Sequence, residues 1–192
     1  MKLIIGLGNP GNDYAQTRHN FGFYFLDFFA KTYGAQWNFA KKFNAEIFET
    51  TIAGEKIIFA KPQTFYNEVG QSARAFRDFY KLDDSDILVI HDEMDLPFGT
   101  MRTRTGGESA GNNGIKSLIA HLGRGFSRIR VGSGIVREND PNTKPEKTQQ
   151  INHVLGKISR DEAKTLEPEA PKIREIVENF AKNEFEQSTY KF

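Results

Sequence analysis

A chain of 192 residues and 21.8 kDa suffices for one domain with a real core, at roughly 150 residues per domain. It has no cysteine, which excludes disulfides, thiolate-bound zinc, iron–sulfur clusters and a cysteine nucleophile, and fits a reducing compartment. Lys plus Arg number 26 against 25 Asp plus Glu, a net charge of +1, but residues 97–137 hold seven basic groups and one acidic, against net −3 before them and −2 after.

In chain order, Lys2 to Gly8 is an apolar run of strand length, and Asn20 to Tyr33 has apolar residues at helical spacing with Asn20 in the N-cap place. Ala45–Ile52 and Lys56–Lys61 flank Ala53-Gly54-Glu55 as a hairpin. Val69, Ala73, Phe76 and Tyr80 make one face of a helix, Asp86 to His91 reads as a buried strand, Ile115 to Leu122 as a helix and Arg128 to Gly134 as another strand. Residues 136–149 lack apolar periodicity and hold two prolines, so a mobile connection is expected, followed by a helical, acidic tail after Ser159. Strands alternating with helices predict an α/β fold, a single domain over residues 1–192. No stretch approaches the ~18 apolar residues of a membrane span, and Asn9-Pro10-Gly11 interrupts the first apolar run. A soluble, cytoplasmic monomer with no membrane partner is expected.

Two motifs suggest chemistry that their context opposes. Gly6-Leu7-Gly8-Asn9-Pro10-Gly11 matches the dinucleotide fingerprint, but a helix would have to open through Pro10-Gly11-Asn12-Asp13. Gly107-Glu108-Ser109-Ala110-Gly111 matches the nucleophile elbow of serine esterases, with Asp140 and His153 in triad order, yet the segment feeding it, Met101 to Thr105, is polar and basic.

Of the four histidines, His121 and His153 sit in helical contexts and His91 ends a buried strand. His19 follows a polar loop at the start of a helix, and Asp92, Glu93 and Asp95 cluster after the His91 strand, where α/β sheets present functional loops. Together with GLGNPG at 6–11, Tyr14, TRHN at 17–20, P-x-TF-x-N at 62–67, HDE-x-DLP at 91–97, GG at 106–107, NG-x-K at 113–116, R-x-RVG at 128–132 and VLGK at 154–157, these residues make a chain that resembles the bacterial-type peptidyl-tRNA hydrolases over essentially its whole length.

The resemblance implies a mixed twisted sheet flanked by helices and hydrolysis of the ester between a peptide and the terminal ribose of tRNA. It implies His19 as general base, Asp92 as its orienting carboxylate, Asn9 as the group discriminating N-blocked from free aminoacyl esters, and Asn67 and Asn113 as amide donors to the substrate carbonyl. Tyr14 and Phe65 would line the pocket. Arg102, Arg104 and Arg130 align with basic positions, and Arg104 with Arg130 suits a clamp on a terminal phosphate. This agrees with the independent charge excess of residues 97–137, whose bland reading is dispersed solvated charge. Peptidyl-tRNA is the implied partner, with no metal and no organic cofactor. The chain departs from the family pattern at Tyr66, where Met is usual, at Asn112, where His is common, and at Ser109-Ala110, in place of a His-Gly pair. The alternative is an RNA-binding homologue without turnover, which has no need of a base and carboxylate pair.

Overall fold

The computed structural model describes residues 1–135 and 145–192. One eight-stranded sheet runs in the order β2-β3-β4-β1-β5-β7-β6-β8. Its centre is parallel: β1 (Lys2–Gly6) lies between β4 (Glu55–Pro62) and β5 (Ile87–Glu93), and β5 pairs with β7 (Ser127–Gly132). The flanks are antiparallel, with β3 (Ala45–Ile52) and β2 (Asn38–Ala40) on one side and β6 (Thr100–Thr105) and β8 (Thr189–Lys191) on the other. The expected α/β class, a mixed sheet flanked by helices, is borne out.

Central strands buried on both faces read as apolar runs rather than alternating ones. Ile4, Phe59, Leu88, Ile90 and Ile129 face one core with α1 (Phe21–Thr32) and α6 (Glu169–Ala181). Leu3, Ile5, Ile58, Ile87 and Val89 face the other, with α2 (Val69–Tyr80) and α3 (Asn113–Leu122). The helix after β1 therefore covers one face and the helix after β4 the other. That change of side opens a crevice at the carboxyl ends of neighbouring parallel strands, the common ligand site of such sheets.

A glycine pair sets how closely α1 approaches. A Cβ on Gly22 would lie 2.2 Å from Leu7 N and 2.5 Å from Ile90 O, and one on Gly6 would lie 2.6 Å from Gly22 O. Only glycine lets the start of α1 rest on β1 and β5, and this contact brings the preceding turn, Arg18–Asn20, to the ends of both strands. Gly6 and Gly8 of the apparent dinucleotide motif thus serve the close approach of α1, and residues 11–17 form a turn before α1 begins at Phe21.

Several expectations are corrected. β5 extends through Asp92 and Glu93, which pair with Val131 and Gly132, so these two acids belong to the strand rather than to the loop after it. Residues 147–149, expected within an irregular connection, open α4 (Lys147–Val154), while 136–144 lie outside the described residues. The tail holds α5 (Arg160–Leu166) and α6, but it ends in β8, which adds a strand to β6. Among the described residues no helix is long and apolar enough to cross a membrane.

Candidate active site

A cleft of about 700 Å³ lies at the ends of these strands, and Asn9, His19, Phe65, Asn67 and Asn113 all line it. They come from four separate segments: the loop after β1, the turn before α1, the loop after β4 and the first residue of α3. The opposite wall is α4 with Ile151, Val154 and Leu155. Tyr14 belongs to the 11–17 turn, where its carbonyl accepts from Thr17 N and Oγ1, and it is not among the lining residues.

His19 Nδ1 is 2.9 Å from Asp92 Oδ1. An ionised carboxylate only accepts, so Nδ1 is the donor in this bond, and in the neutral ring the lone pair that a water-activating base requires is then on Nε2. Burial opposes ionisation of Asp92, but the His19 ring, its hydrogen bond and a hydrogen bond from Tyr66 together hold the carboxyl below its ordinary range. His19 itself is fixed from the other side. Arg18 N donates to Gly156 O and Ile158 N to Gln16 O, while the Arg18 guanidinium reaches His153 O at 3.2 Å and Glu162 Oε1 at 2.6 Å. This strap ties the His19 turn to the segment that follows α4.

Asn9 is held by Asn20, the residue expected to cap α1. The Asn20 side chain makes no cap bond to α1; its Oδ1 accepts from Asn9 N and its Nδ2 donates to Asn9 O, both at 2.9 Å. Asn9 Oδ1 accepts from Tyr66 N at 2.8 Å, so the amino end of its amide faces away from that bond as a donor. Asn67 and Asn113 are exposed at the cleft. Phe65 is 56% exposed, and with Ile151 and Leu155 it gives the cleft exposed apolar groups on both walls. Among the described residues no three His, Asp or Glu side chains gather as metal ligands.

The arginines occupy one face of the β6–β7 pair. Arg102 is in register with Arg130 and Arg104 with Arg128, so the proposed partners Arg104 and Arg130 are diagonal neighbours rather than opposite ones. Arg130 is engaged by Glu93 Oε2, at 3.1 Å from Nε and 2.9 Å from Nη2. Arg102 and Arg104 are exposed. Arg128, counted in the sequence only as part of the basic excess, is buried beneath the glycine-rich loop and donates to Glu108 O at 2.8 Å and to Gly107 O. Burial, then repulsion from Arg104 and Arg130, lowers its pKa to about 10, which still leaves it charged at neutral pH.

Nothing of a serine triad is assembled among the described residues. Ser109 sits in the loop after the antiparallel strand β6, its carbonyl accepting from Asn112 N. The Nε2 of His153 is 3.0 Å from Ser133 O, and Asp140 lies outside the described residues. His91 is buried within β5 with Nδ1 at 2.7 Å from Asp92 O, and burial lowers its pKa.

The peptidyl-tRNA hydrolase family model matches residues 3–192. The peptidyl-tRNA hydrolase of Clostridium perfringens is 39% identical over 193 aligned residues, spanning 100% of this chain and 97% of the relative. That of Fusobacterium nucleatum is 46% identical over 178 residues, 92% of this chain and 87% of the relative. A crystal structure of peptidyl-tRNA hydrolase from Acinetobacter baumannii superposes with a TM-score of 0.86 at 34% identity, covering 95% of this chain and 89% of that one. A match along nearly the whole length, in sequence and in fold, shows that the chain belongs to the peptidyl-tRNA hydrolase family.

Proposed function

We propose that this chain hydrolyses the ester joining peptide to tRNA in peptidyl-tRNA, with His19 as general base. The observation that carries the reading is the 2.9 Å bond between His19 Nδ1 and Asp92 Oδ1 at the wall of the cleft. Nε2 accepts a proton from water as the water attacks the ester carbonyl, and Asp92 stabilises the imidazolium that forms. The amides of Asn9, Asn67 and Asn113, all at the same cleft, supply donors: Asn67 and Asn113 for the ester carbonyl oxygen as it gains negative charge, and Asn9 for the carbonyl oxygen of the amide that blocks the substrate's amino group. The imidazolium then returns its proton to the departing ribose oxygen. Phe65, Ile151 and Leu155 offer apolar surface to the substrate.

Exposed Arg102 and Arg104 contact tRNA phosphates, giving affinity and register without reading sequence. Arg130 is already paired with Glu93, so we assign it to shaping that face more than to direct phosphate contact. The 192 residues act as one domain and as a monomer, in the cytoplasm where tRNA is found. The test is to incubate the protein with N-acetylated and with free aminoacyl-tRNA and follow ester cleavage. Cleavage of the blocked substrate in preference to the free one is expected, and binding without cleavage would favour the RNA-binding alternative.

A further inference from the structure

Two of the departures from the family pattern, Tyr66 and Asn112, touch each other and the His19–Asp92 pair. The Tyr66 hydroxyl donates to Asp92 Oδ1 at 2.8 Å, the same oxygen that accepts from His19 at 2.9 Å. The Tyr66 ring lies flat on the His19 ring, centroids 3.5 Å apart and planes 11° from parallel.

Asn112 fixes the direction of the phenol proton. As N-cap of α3 its Oδ1 accepts from Ile115 N at 3.0 Å, so Nδ2 is the end that meets Tyr66, 3.1 Å from the hydroxyl oxygen. A hydroxyl has one proton and two lone pairs. With Asn112 donating to the oxygen, that proton is directed at Asp92.

We infer that Tyr66, held by Asn112, is a positioning residue that shares the Asp92 carboxylate with His19 and so sets how strongly Asp92 stabilises the protonated base. The inference rests on the reading of His19 as base. Burial, then the charge of Asp92, holds the phenol well above its ordinary range, so it remains a donor across any practical pH. Methionine, the usual family residue here, has no proton to give. Among the described residues, the titratable groups that act on Asp92 are His19, Tyr66, His91 and His153, with Glu93 beside it in β5, and Lys147 of α4 lines the same cleft. Among the described residues only His19 and Tyr66 hydrogen-bond the carboxylate itself.

Removing the phenol proton leaves the charge of Asp92 undivided, which strengthens its hold on the imidazolium. The acidic limb of turnover then moves to higher pH, opposite in sign to the loss of Asp92 itself. A residue that served packing alone would lower the plateau and leave the limb in place.

The experiment is a turnover–pH profile together with an NMR titration of the ¹⁵N-labelled His19 ring, in the parent, Tyr66→Phe, Tyr66→Met and Asn112→Ser. In Tyr66→Phe and Tyr66→Met both midpoints should rise by roughly 0.5 to 1 in pH. Asn112→Ser, which still caps α3, should shift both less and in the same direction, and it carries the test if the Tyr66 variants do not fold. Unmoved midpoints, a downward shift, or a lower plateau with an unmoved limb would overturn the inference. Because the ring titration needs no substrate, a parent without ester cleavage would remove the hydrolase reading and still leave the Tyr66 result readable.

Discussion

Asp92 is almost wholly buried, with 2% of its side chain exposed, whereas its partner His19 keeps 15% exposed at the cleft. The buried member can act on substrate only through the other. Asp92→Asn keeps the size, loses the charge and, with its amino end turned to the ring, favours the wrong tautomer. Turnover should fall roughly 10²- to 10⁴-fold with little change in tRNA affinity, and the acidic limb should move to lower pH because the protonated ring loses its counter-charge. Kinetics and binding across pH check this. Near-normal turnover with an unmoved limb would remove Asp92 from the mechanism.

Asn20 grips the Asn9 peptide at both polar groups, so Asn20→Ala leaves a buried N–H and C=O without partners. A loss of roughly 2–3 kcal/mol in urea unfolding is expected. Discrimination between N-blocked and free aminoacyl-tRNA should weaken in the same variant, since Asn9 loses its anchor. Unchanged stability and discrimination would show that the grip is dispensable.

How much of this was legible in the sequence depends on what kind of signal each part leaves. Apolar runs and helical spacing revealed β1, α1, the β3–β4 hairpin, α2, β5, α3 and β7, because each buries a face on the sheet. β2 and β8 are three-residue flanking strands, largely exposed, and leave no periodicity to read. Asp92 and Glu93 looked like loop residues because they are charged, yet the backbone ladder with β7 continues past the last apolar side chain of the strand. The site is assembled from four segments far apart in the chain, so no local pattern pointed to it; ordered family motifs did. Asn20 was missed as a site residue, and Tyr66 and Asn112 stood out only as departures from the family pattern, because their roles depend on partners 11 to 57 residues away.

Arg104 and Arg130 should separate in behaviour. Arg104→Ala should weaken tRNA binding and reduce the slope of log affinity against log salt by roughly 0.7 to 0.9, as for one lost phosphate contact. Arg130→Ala leaves the largely buried Glu93 carboxylate without its guanidinium, and should cost roughly 2–3 kcal/mol of stability. Salt-dependent binding and urea unfolding of both variants distinguish the two roles. Equal salt slopes in Arg104→Ala and the parent would make Arg104 ordinary solvated surface.

Glu169 opens α6 fully buried, with neither carboxyl oxygen hydrogen-bonded among the described residues, and burial raises its pKa from 4.5 to about 7. The unfolded chain ionises from about pH 4.5 while the folded one stays protonated, so stability falls as pH rises from about 4.5 to about 7 and levels off above that range. The decline is up to roughly 3 kcal/mol. Glu169→Gln cannot ionise and should flatten this part of the stability–pH curve. Urea unfolding at pH 5 and pH 8 checks it, and an identical slope in the variant would show that Glu169 is not the source.

Ester cleavage by the parent, His19→Ala and Ser109→Ala, measured on N-acetylaminoacyl-tRNA, tests whether His19 is the general base. His19→Ala should lose most activity while still binding tRNA, and Ser109→Ala should remain within about tenfold of the parent, an effect of about 1.4 kcal/mol or less. Full activity in His19→Ala, or an acyl group trapped on Ser109 and lost with Ser109→Ala, would contradict it.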